Sequence, residues 1–439
     1  MREPGRLEDL WLTARGIWHH YAFLRHSQWW STDRLRAYQA ELVGQLLIRA
    51  YERTDYYREA FWKADFDPYK DFRSLEDLSR VPLLDKETAR RAPARLADPN
   101  AVDQALELRT SGTTGQVFRE YVSKEHWVVE QGVVWRHWSW TGYRFRDPVA
   151  TVRSYVPKEG EPLWKLDRVR NFMFFSAYHL NPEGAEAYLR QMQQFKPVIL
   201  RGYPASLYVL ARMAERLQLE TPPLKAILTG SEMLLPEYRE VIERVFRARV
   251  FDWYGQAECT CTLNECEAHE GMHINMEYGV CELLPDPRLP PNERRIVATC
   301  LHNRAMPLIR YDTGDIAILA ERTTCSCGRG LPLVKGIRGR SDDFLYAPDG
   351  RIIPSVNLYT VMYKIDEIIA FQLIQDRLDH LEVRLEAKHF PAAVEERLRA
   401  DLRERFGGGV TIDLRVNEPF IQTADGKKRP VISQVKLAW

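Results

Sequence analysis

Six consecutive residues combine hydroxyl side chains with two glycines in a pattern that suits phosphate binding. They are Thr110, Ser111, Gly112, Thr113, Thr114 and Gly115, in the stretch LRTSGTTGQ. Glycine permits unusual backbone dihedrals, hydroxyls can donate to phosphate oxygens, and successive backbone N–H groups can form an anion-binding nest. No lysine follows the second glycine, so this is not a Walker loop. A polar hairpin turn is the alternative; we expect a phosphate-binding loop.

Two further motifs could hold a nucleotide. Tyr254 and Gly255 end the strand-like run ARVFDWYG, and Glu258 follows four residues after the tyrosine. An aromatic residue at the carboxyl end of a strand can stack on a purine, and a carboxylate can bind Mg²⁺. In RYDTGD, Asp315 follows a glycine and could accept hydrogen bonds from two ribose hydroxyls. Taken singly, Tyr254 could be a core residue, Glu258 a helix-start residue, and the aspartate motif an ordinary β-turn.

Two charged motifs occur nearer the C-terminus. The sequence GRSDD contains Arg340 and Asp342 within a polar, turn-rich stretch that fits a linker. The sequence TADGKKR presents three cations on a glycine-anchored loop, which could place Lys427 on a carboxylate or phosphate oxygen. Alone, the first would be a solvated linker and the second a solvated basic turn.

In this order and at these separations, the five motifs resemble those of the adenylate-forming superfamily. That superfamily includes acyl- and aryl-CoA ligases, luciferases and the adenylation domains of peptide synthetases. The resemblance runs from about residue 35 to the C-terminus. Within the superfamily the chain is most similar to the phenylacetate–CoA ligase group and its capsule-synthesis relatives. This likeness rests on AYERTDYYREAF, KPVILRGYPASLYVLA, MPLIRYDTGD and GKKRPVIS.

The resemblance implies a role for each motif. The nucleotide-binding set would be Thr110 to Gly115 on the β- and γ-phosphates, Tyr254 and Gly255 at the adenine, and Asp315 on the ribose. The catalytic set would be Glu258 on Mg²⁺, Arg340 on the ribose or phosphate, and Lys427 between the carboxylate and the α-phosphate, with Asp342 as the hinge.

This set fits in-line attack of a carboxylate on the α-phosphate of ATP. The attack builds negative charge, which Mg²⁺ and a positioned cation stabilise without a covalent nucleophile. Movement of a lid would then remove Lys427 and admit a second nucleophile, usually the thiol of CoA.

Two departures from the family pattern leave the reaction rate and the nucleotide preference open. Ala257 stands where the family often has Thr or Ser, and Gln116 with Val117 where a basic residue and a proline are common.

The seven cysteines all fall between residues 259 and 327. An odd number in a reducing compartment argues against a disulfide framework. Three thiolates and an imidazole suit tetrahedral zinc, and the candidate ligands are Cys266, His273, Cys325 and Cys327. The resemblance implies that this zinc is structural. Cys259, Cys261 and His269 are rival ligands, and small buried cysteines without metal are the alternative.

Composition limits the function classes. At 439 residues the chain should form two or three domains. Its 62 basic and 61 acidic residues leave a net charge of +1, so it has no overall basic field for nucleic acid or an anionic membrane. No segment approaches the ~18 apolar residues that span a bilayer, and no secretory signal pattern is present. We expect a cytoplasmic protein.

The apolar pattern predicts the elements that must position these motifs. Residues 35–50 have one apolar face, which predicts a helix capped by Thr32 or Asp33. Strand and helix patterns alternate from about residue 105 to 255, which indicates a largely parallel sheet. Residues 275–320 are β-rich, a hairpin is expected at Asp349-Gly350, and residues 370–418 follow a β-α-β pattern.

The expected fold is therefore α/β with two domains. Residues 1–339 would form a large adenylate-forming domain with a helical lead-in at 1–80, parallel-rich sheets and a β-rich subdomain. Residues 340–439 would form a small, mobile α+β lid.

Three functions compete. The first is an ATP-dependent acyl-CoA ligase for a small carboxylic acid, with an aryl or arylacetic acid favoured. The second passes the acyl group to an amine, a hydroxyl or the thiol of a separate carrier protein. The third is a non-catalytic nucleotide-binding homologue, disfavoured because Glu258, Asp315, Arg340 and Lys427 occur together.

The resemblance also places the acid pocket near residues 175–178, 230–231 and Trp253. The aromatic residues of the N-terminal segment would suit a homodimer contact.

Overall fold

The structure, a computed structural model, describes residues 7–111, 117–153, 155–158, 160–338, 344–362, 364–421 and 430–435. The chain divides into two compact units. The first comprises Met1–Leu108, Arg119–Gly142 and Trp253–Gly339; the second comprises Arg109–Phe118, Tyr143–Asp252 and Arg340–Trp439. The predicted separation of residues 1–339 from residues 340–439 stays a prediction.

Helices and strands alternate through most of the described residues. The α-helices are α1 (Leu7–Ser27), α2 (Thr32–Arg53), α3 (Asp55–Lys63), α4 (Lys86–Arg91), α5 (Pro93–Leu96), α6 (Lys124–Trp140), α7 (Pro182–Phe195), α8 (Pro204–Arg216), α9 (Pro236–Phe246), α10 (Ser355–Met362) and α11 (Ala392–Phe406). None of the helices among these described residues is both long and apolar enough to cross a membrane.

The strands belong to several sheets. In chain order they are β1 (Leu106–Ser111), β2 (Val117–Val122), β3 (Val149–Arg153), β4 (Trp164–Asp167), β5 (Phe172–Ser176), β6 (Ile199–Gly202), β7 (Ala226–Leu228), β8 (Val250–Phe251), β9 (Trp253–Gly255), β10 (Thr262–Glu265), β11 (Met272–Ile274), β12 (Gly279–Leu284), β13 (Glu293–Cys300), β14 (Tyr311–Ile318), β15 (Leu333–Val334), β16 (Gly336–Arg338), β17 (Phe344–Tyr346), β18 (Ile352–Pro354), β19 (Ile368–Arg377), β20 (His380–Ala387), β21 (Thr411–Val416) and β22 (Val431–Ser433).

The first unit begins with the predicted amphipathic helix. Leu35, Leu46 and Ala50 of α2 are buried as the apolar spacing predicts. The predicted cap at Thr32 or Asp33 is wrong, because the side chain of Ser31 accepts the hydrogen bond from the backbone N–H of Arg34.

Two four-stranded antiparallel sheets follow in the first unit, ordered β15-β11-β10-β9 and β12-β13-β14-β16. The motif RYDTGD does not form a simple turn, because β14 begins at Tyr311 and runs through it. The strand instead has an irregular register opposite Arg295 to Val297, and Gly314 supplies the positive φ of 75°. The predicted β-rich region is therefore present, with the aspartate motif inside it.

The second unit contains the predicted parallel sheet, ordered β4-β5-β3-β6-β7-β8. Strands β5, β3, β6, β7 and β8 are parallel, and β4 is an antiparallel edge strand. Helices α7, α8 and α9 contribute to one apolar core with residues such as Val152, Phe175 and Leu200. This arrangement confirms the α/β class.

The C-terminal part of the second unit has its own sheet, ordered β21-β20-β19-β22. Leu358 of α10 and Leu398 and Leu402 of α11 belong to its apolar core. Strands β17 and β18 form the predicted hairpin, with Gly350 at a φ of 82° in the turn.

Candidate active site

The tyrosine and the aspartate predicted for the nucleotide lie together in the first unit. Tyr254 is on β9, and its hydroxyl donates to Oδ2 of Asp315 at 2.8 Å. Gln256 donates in turn to the Tyr254 hydroxyl at 2.8 Å. Burial raises the pKa of Tyr254 well above its usual value, and the negative charge of Asp315 adds to this effect. The second and third motifs therefore form one hydrogen-bonded group, although residues 254 and 315 are far apart in sequence.

Glu258 is buried and ionised because it has a cationic partner. Its carboxylate lies 2.8 Å from Nζ of Lys86 and accepts a hydrogen bond from the Tyr311 hydroxyl at 2.9 Å. Burial would raise the pKa of Glu258, but the charge and hydrogen bond of Lys86 outweigh it, and the pKa is lowered. Lys86 belongs to none of the five sequence motifs.

The chain places Lys86 by pairing the preceding residues with β14. Leu84 donates its N–H to the Arg310 carbonyl at 3.0 Å, and its own carbonyl accepts from Asp312 N–H at 2.9 Å. Asp85 caps α4, so the helix starts with Lys86. The cap at Asp85 is a local feature of the sequence, and it does not predict the contact between Lys86 and Glu258.

Two further carboxyl groups lie near Glu258. Glu120 is fully buried; one oxygen accepts from Asn303 at 3.5 Å, and the other has no hydrogen-bond partner among the described residues. Burial raises the pKa of Glu120 well above its usual value, and the charges of Glu258 and Glu130 raise it further. Burial also raises the pKa of Glu130. Neither Glu120 nor Glu130 belongs to a sequence motif.

The four predicted zinc ligands meet around one point. Their candidate ligand atoms all lie within 4.8 Å of one another, in Cys266, His273, Cys325 and Cys327. The Cys266 and Cys325 sulfurs are 3.7 Å apart, and the Cys327 sulfur is 3.4 Å from Nε2 of His273. Bond lengths for tetrahedral zinc place two sulfurs roughly 3.8 Å apart, and a sulfur and a nitrogen roughly 3.5 Å apart.

The hydrogen bond made by Nδ1 of His273 leaves Nε2 as the nitrogen that can bind a metal. Its Nδ1 lies 2.8 Å from the Leu331 carbonyl oxygen, which can only accept, so Nδ1 carries the proton. Strand β11 holds His273 opposite Asn264 of β10 and Leu333 of β15. The donor set therefore fits zinc.

The rival zinc ligands lie in other contacts. The Cys259 sulfur is 3.7 Å from a Glu130 oxygen, and the Cys261 sulfur is 3.5 Å from Nε2 of Gln256. His269 lies 3.9 Å from Glu265.

Several predicted site residues lie outside the described residues. They are Gly112, Thr113, Thr114 and Gly115, together with Arg340, Asp342 and Lys427. The backbone of Thr110 and Ser111 belongs to β1, which ends at Ser111.

The predicted acid-pocket segment 175–178 is largely packed within the second unit. Phe175 contacts Tyr188 with ring centroids 5.1 Å apart, on the helix-covered side of the sheet. Tyr178 is 1% exposed and belongs to the C-terminal core. Ser231 is exposed, with a φ of 72°.

Comparison with known proteins gives consistent relatives over most of the chain. A family model described as the CapK C-terminal domain matches residues 345–434. Protein CapK of Staphylococcus aureus is 24% identical over 403 residues, which cover 88% of this chain and 86% of that protein. A phenylacetate-coenzyme A ligase of Thermus thermophilus is 27% identical over 439 residues, which cover 91% and 96% of the two chains.

Solved structures of 2-hydroxyisobutyryl-CoA ligase share the fold. The complex with 2-HIB-AMP and CoA in the thioesterification state has a TM-score of 0.59 at 21% identity, covering 93% of this chain and 92% of that one. The open conformation has a TM-score of 0.56 at 22% identity, covering 90% of each chain. The fold of this chain is therefore the one that these CoA ligase structures have. In sequence, the chain is similar over most of its length to CapK and to phenylacetate-coenzyme A ligases.

Proposed function

We propose that this protein is an AMP-forming acyl-CoA ligase. A carboxylate attacks the α-phosphate of ATP, an acyl-AMP forms as pyrophosphate leaves, and the CoA thiol then displaces AMP. The observation that carries the proposal is the hydrogen bond between Tyr254 and Asp315 in the same compact unit as a buried, ionised Glu258. An aromatic ring can stack on adenine, and carboxylates can accept hydrogen bonds from ribose hydroxyls and bind Mg²⁺.

Three residues that the structure describes would contact the nucleotide or its metal ion. Tyr254 would contact the adenine, and Asp315 would accept hydrogen bonds from the ribose. Glu258 would hold Mg²⁺, which neutralises phosphate charge when it is bound. Lys86 compensates Glu258 in this structure, so we expect that lysine to move away from the carboxylate as the cation binds.

The remaining roles rest on the family resemblance. The loop from Thr110 to Gly115 would bind the phosphates, Arg340 would contact the ribose or phosphate, and Asp342 would be the hinge. Lys427 would bridge the carboxylate and the α-phosphate.

An aryl or arylacetic acid is the favoured substrate. Support comes from the relatives named phenylacetate-coenzyme A ligase, which are 26–28% identical to this chain. A carrier-protein acceptor, a homodimer and a cytoplasmic location stay predictions.

We also propose a structural zinc ion on Cys266, His273, Cys325 and Cys327. Its support is the set of sulfur and nitrogen separations that match tetrahedral coordination. Four protein ligands would leave no open position for catalysis, so the ion would stabilise the loops that carry them.

Carboxylate-dependent exchange between ATP and pyrophosphate tests the first half-reaction. We expect exchange with at least one member of a panel of aryl, arylacetic, amino and fatty acids, and its loss in Lys427→Ala. Arg190→Gln, which alters an exposed arginine of α7, is the matched control. CoA is then added, and a thioester product supports the ligase over transfer to another acceptor. No exchange by folded, zinc-replete protein with any acid in the panel would contradict the proposal.

A further inference from the structure

One cavity of the second unit has a surplus of positive charge. It has a volume of about 520 Å³, and its lining residues are Arg153, Tyr155, Lys165, Asp167, Arg170, Phe174 and Tyr203. Arg153 is the last residue of β3, and Tyr203 follows β6 directly. Arg153 and Tyr203 therefore lie at the carboxyl ends of two parallel strands, which is where open α/β sheets bind ligands, whereas Lys165, Asp167 and Arg170 come from the edge strand β4 and the turn that joins it to β5.

The register of the sheet explains how these side chains share one face. Thr151 of β3 pairs with Phe174 of β5 and with Arg201 of β6, and Phe174 pairs with Lys165 of β4. Arg153 is two residues beyond Thr151, so its side chain points to the same face. The intervening residues, such as Val152, belong to the helix-covered core. The alternation of side chains along these strands therefore places the cations and aromatic rings on the face opposite the core helices.

Two of the cations have no carboxylate partner. Arg153 and Lys165 form no ion pair with any described residue, and Nε of Arg153 is buried without a hydrogen bond. The Arg153 guanidinium lies 4.8 Å from the centre of the Tyr203 ring. Arg170 differs, because Asp167 pairs with it at 2.6 Å.

The surrounding groups do not neutralise Arg153. Burial lowers its pKa, and electrostatic interactions with Tyr203 and Glu232 only partly oppose this effect. One oxygen of Glu232 already accepts the Ala205 N–H at 3.1 Å. Arg201 is close enough that the charge of Arg153 lowers its pKa further, after burial. A guanidinium held in this way gains most from an incoming oxyanion, which it can bind through two N–H groups.

We propose that this cavity recognises an anionic group of a ligase substrate, a carboxylate or a phosphate. The group would lie between Arg153 and Lys165, with the flat or apolar part of the ligand against Tyr155, Phe174 and Tyr203. Two substrates could present it: an acid with a second carboxylate in addition to the reacting one, or CoA through its 3′-phosphate. The proposal rests on the ligase function for the identity of the ligand.

The test compares matched probes by titration calorimetry with the full chain. The acid pair is 4-carboxyphenylacetate and 4-methylphenylacetate, which differ in charge at one position. The CoA pair is CoA and 3′-dephospho-CoA. The variants are Arg153→Gln and Lys165→Gln, with Arg153→Lys to retain the charge and Arg190→Gln as the control outside the cavity.

We expect the charged member of one pair to bind about tenfold or more tighter, and Arg153→Gln to remove that preference. Arg153→Lys should keep part of it, which separates loss of charge from loss of folding. A preference in the acid pair assigns the site to the acid, and one in the CoA pair assigns it to CoA.

The proposal is overturned if Arg153→Gln and Lys165→Gln match Arg190→Gln for all four probes while remaining folded by circular dichroism. Exchange between ATP and pyrophosphate by the wild-type protein tests the ligase function separately. Charge-dependent binding without any exchange would support the anion site and contradict the ligase function. Exchange without charge-dependent binding would support the ligase function and contradict the anion site.

Discussion

At the scale of single residues, Glu258 shows how a buried carboxylate is kept ready for a cation. Burial raises the pKa of Glu120 and Glu130, and the charges of Glu258 and Glu130 raise the pKa of Glu120 further, yet the pKa of Glu258 is lowered. Lys86 accounts for the difference, since it is the cation paired with Glu258. An ionised oxygen is thereby placed where the proposed Mg²⁺ would bind.

Lys86→Met should destabilise the protein. Breaking a buried pair leaves an uncompensated charge, so we expect the free energy of unfolding at pH 7 to fall by about 3 kcal/mol. The depressed pKa of Glu258 contributes stability above its unfolded-state pKa, and this contribution is lost as pH falls through the folded-state value. Urea denaturation from pH 7 to pH 3 should therefore show wild type approaching the variant at low pH.

Lys63→Met is the control for this prediction, because Lys63 forms an exposed ion pair with Glu59 and should change stability little. Equal effects of the two substitutions on the free energy of unfolding at pH 7 would show that the ion pair of Lys86 stabilises the protein no more than an exposed ion pair does.

The motifs themselves were found from sequence, but their surroundings were not. Tyr254, Glu258 and Asp315 belong to recognisable strings of residues. Lys86 and Glu120 do not, because what gives them their role is a contact with a residue distant in sequence. No local pattern reports such a contact, so tertiary packing has to be known first.

At the scale of secondary structure, irregular strands place the functional groups. The run ARVFDWYG, which resembles one strand, is split between β8 and β9 in different sheets. The aspartate motif occupies an irregular part of β14 and not a free turn. Periodicity predicted the strands correctly, but strand breaks and register shifts depend on partner strands that periodicity does not specify.

The four candidate zinc ligands lie on or between strands β10, β11 and β15 along the chain. Purified protein should contain one zinc ion per chain, and Cys325→Ser/Cys327→Ser should remove it and lower the melting temperature. Metal content by mass spectrometry and thermal unfolding measure the two effects. Cys281→Ser is the matched control, because Cys281 lies outside the four-residue group.

Full zinc content in the double variant would instead favour the second group whose ligand atoms approach within 4.8 Å, formed by His126, Glu130 and Cys259. Protein without zinc that unfolds at the same temperature before and after zinc addition would contradict a structural ion at either group.

At the scale of the whole molecule, each compact unit has buried polar groups within its apolar packing. In the first unit Arg136 and Glu277 form an ion pair at 2.7 Å with side chains 0% and 1% exposed. His126, also fully buried, lies 2.9 Å from the Tyr278 hydroxyl. Periodicity predicted the α/β class, but neither composition nor periodicity shows which polar residues would be enclosed.

Buried neutral histidines should make this protein sensitive to mild acid. Burial lowers the pKa of His126 to about 3 and that of His302 to about 4, below the unfolded value of 6.5. A histidine with a lowered folded-state pKa contributes stability above pH 6.5 that is lost as pH falls towards the folded-state value. Each such residue should therefore cost about 1.4 kcal/mol per pH unit between pH 6 and its folded-state pKa.

His126→Gln tests this through the slope of stability against pH, because glutamine does not titrate. Between pH 6 and pH 4, its free energy of unfolding should fall less steeply than that of wild type by about 1.4 kcal/mol per pH unit. His26→Gln, at an exposed position of α1, should keep the wild-type slope. The slope, unlike the absolute stability, is insensitive to lost packing at residue 126. Parallel curves for wild type and His126→Gln would mean that this imidazole titrates normally in the folded chain.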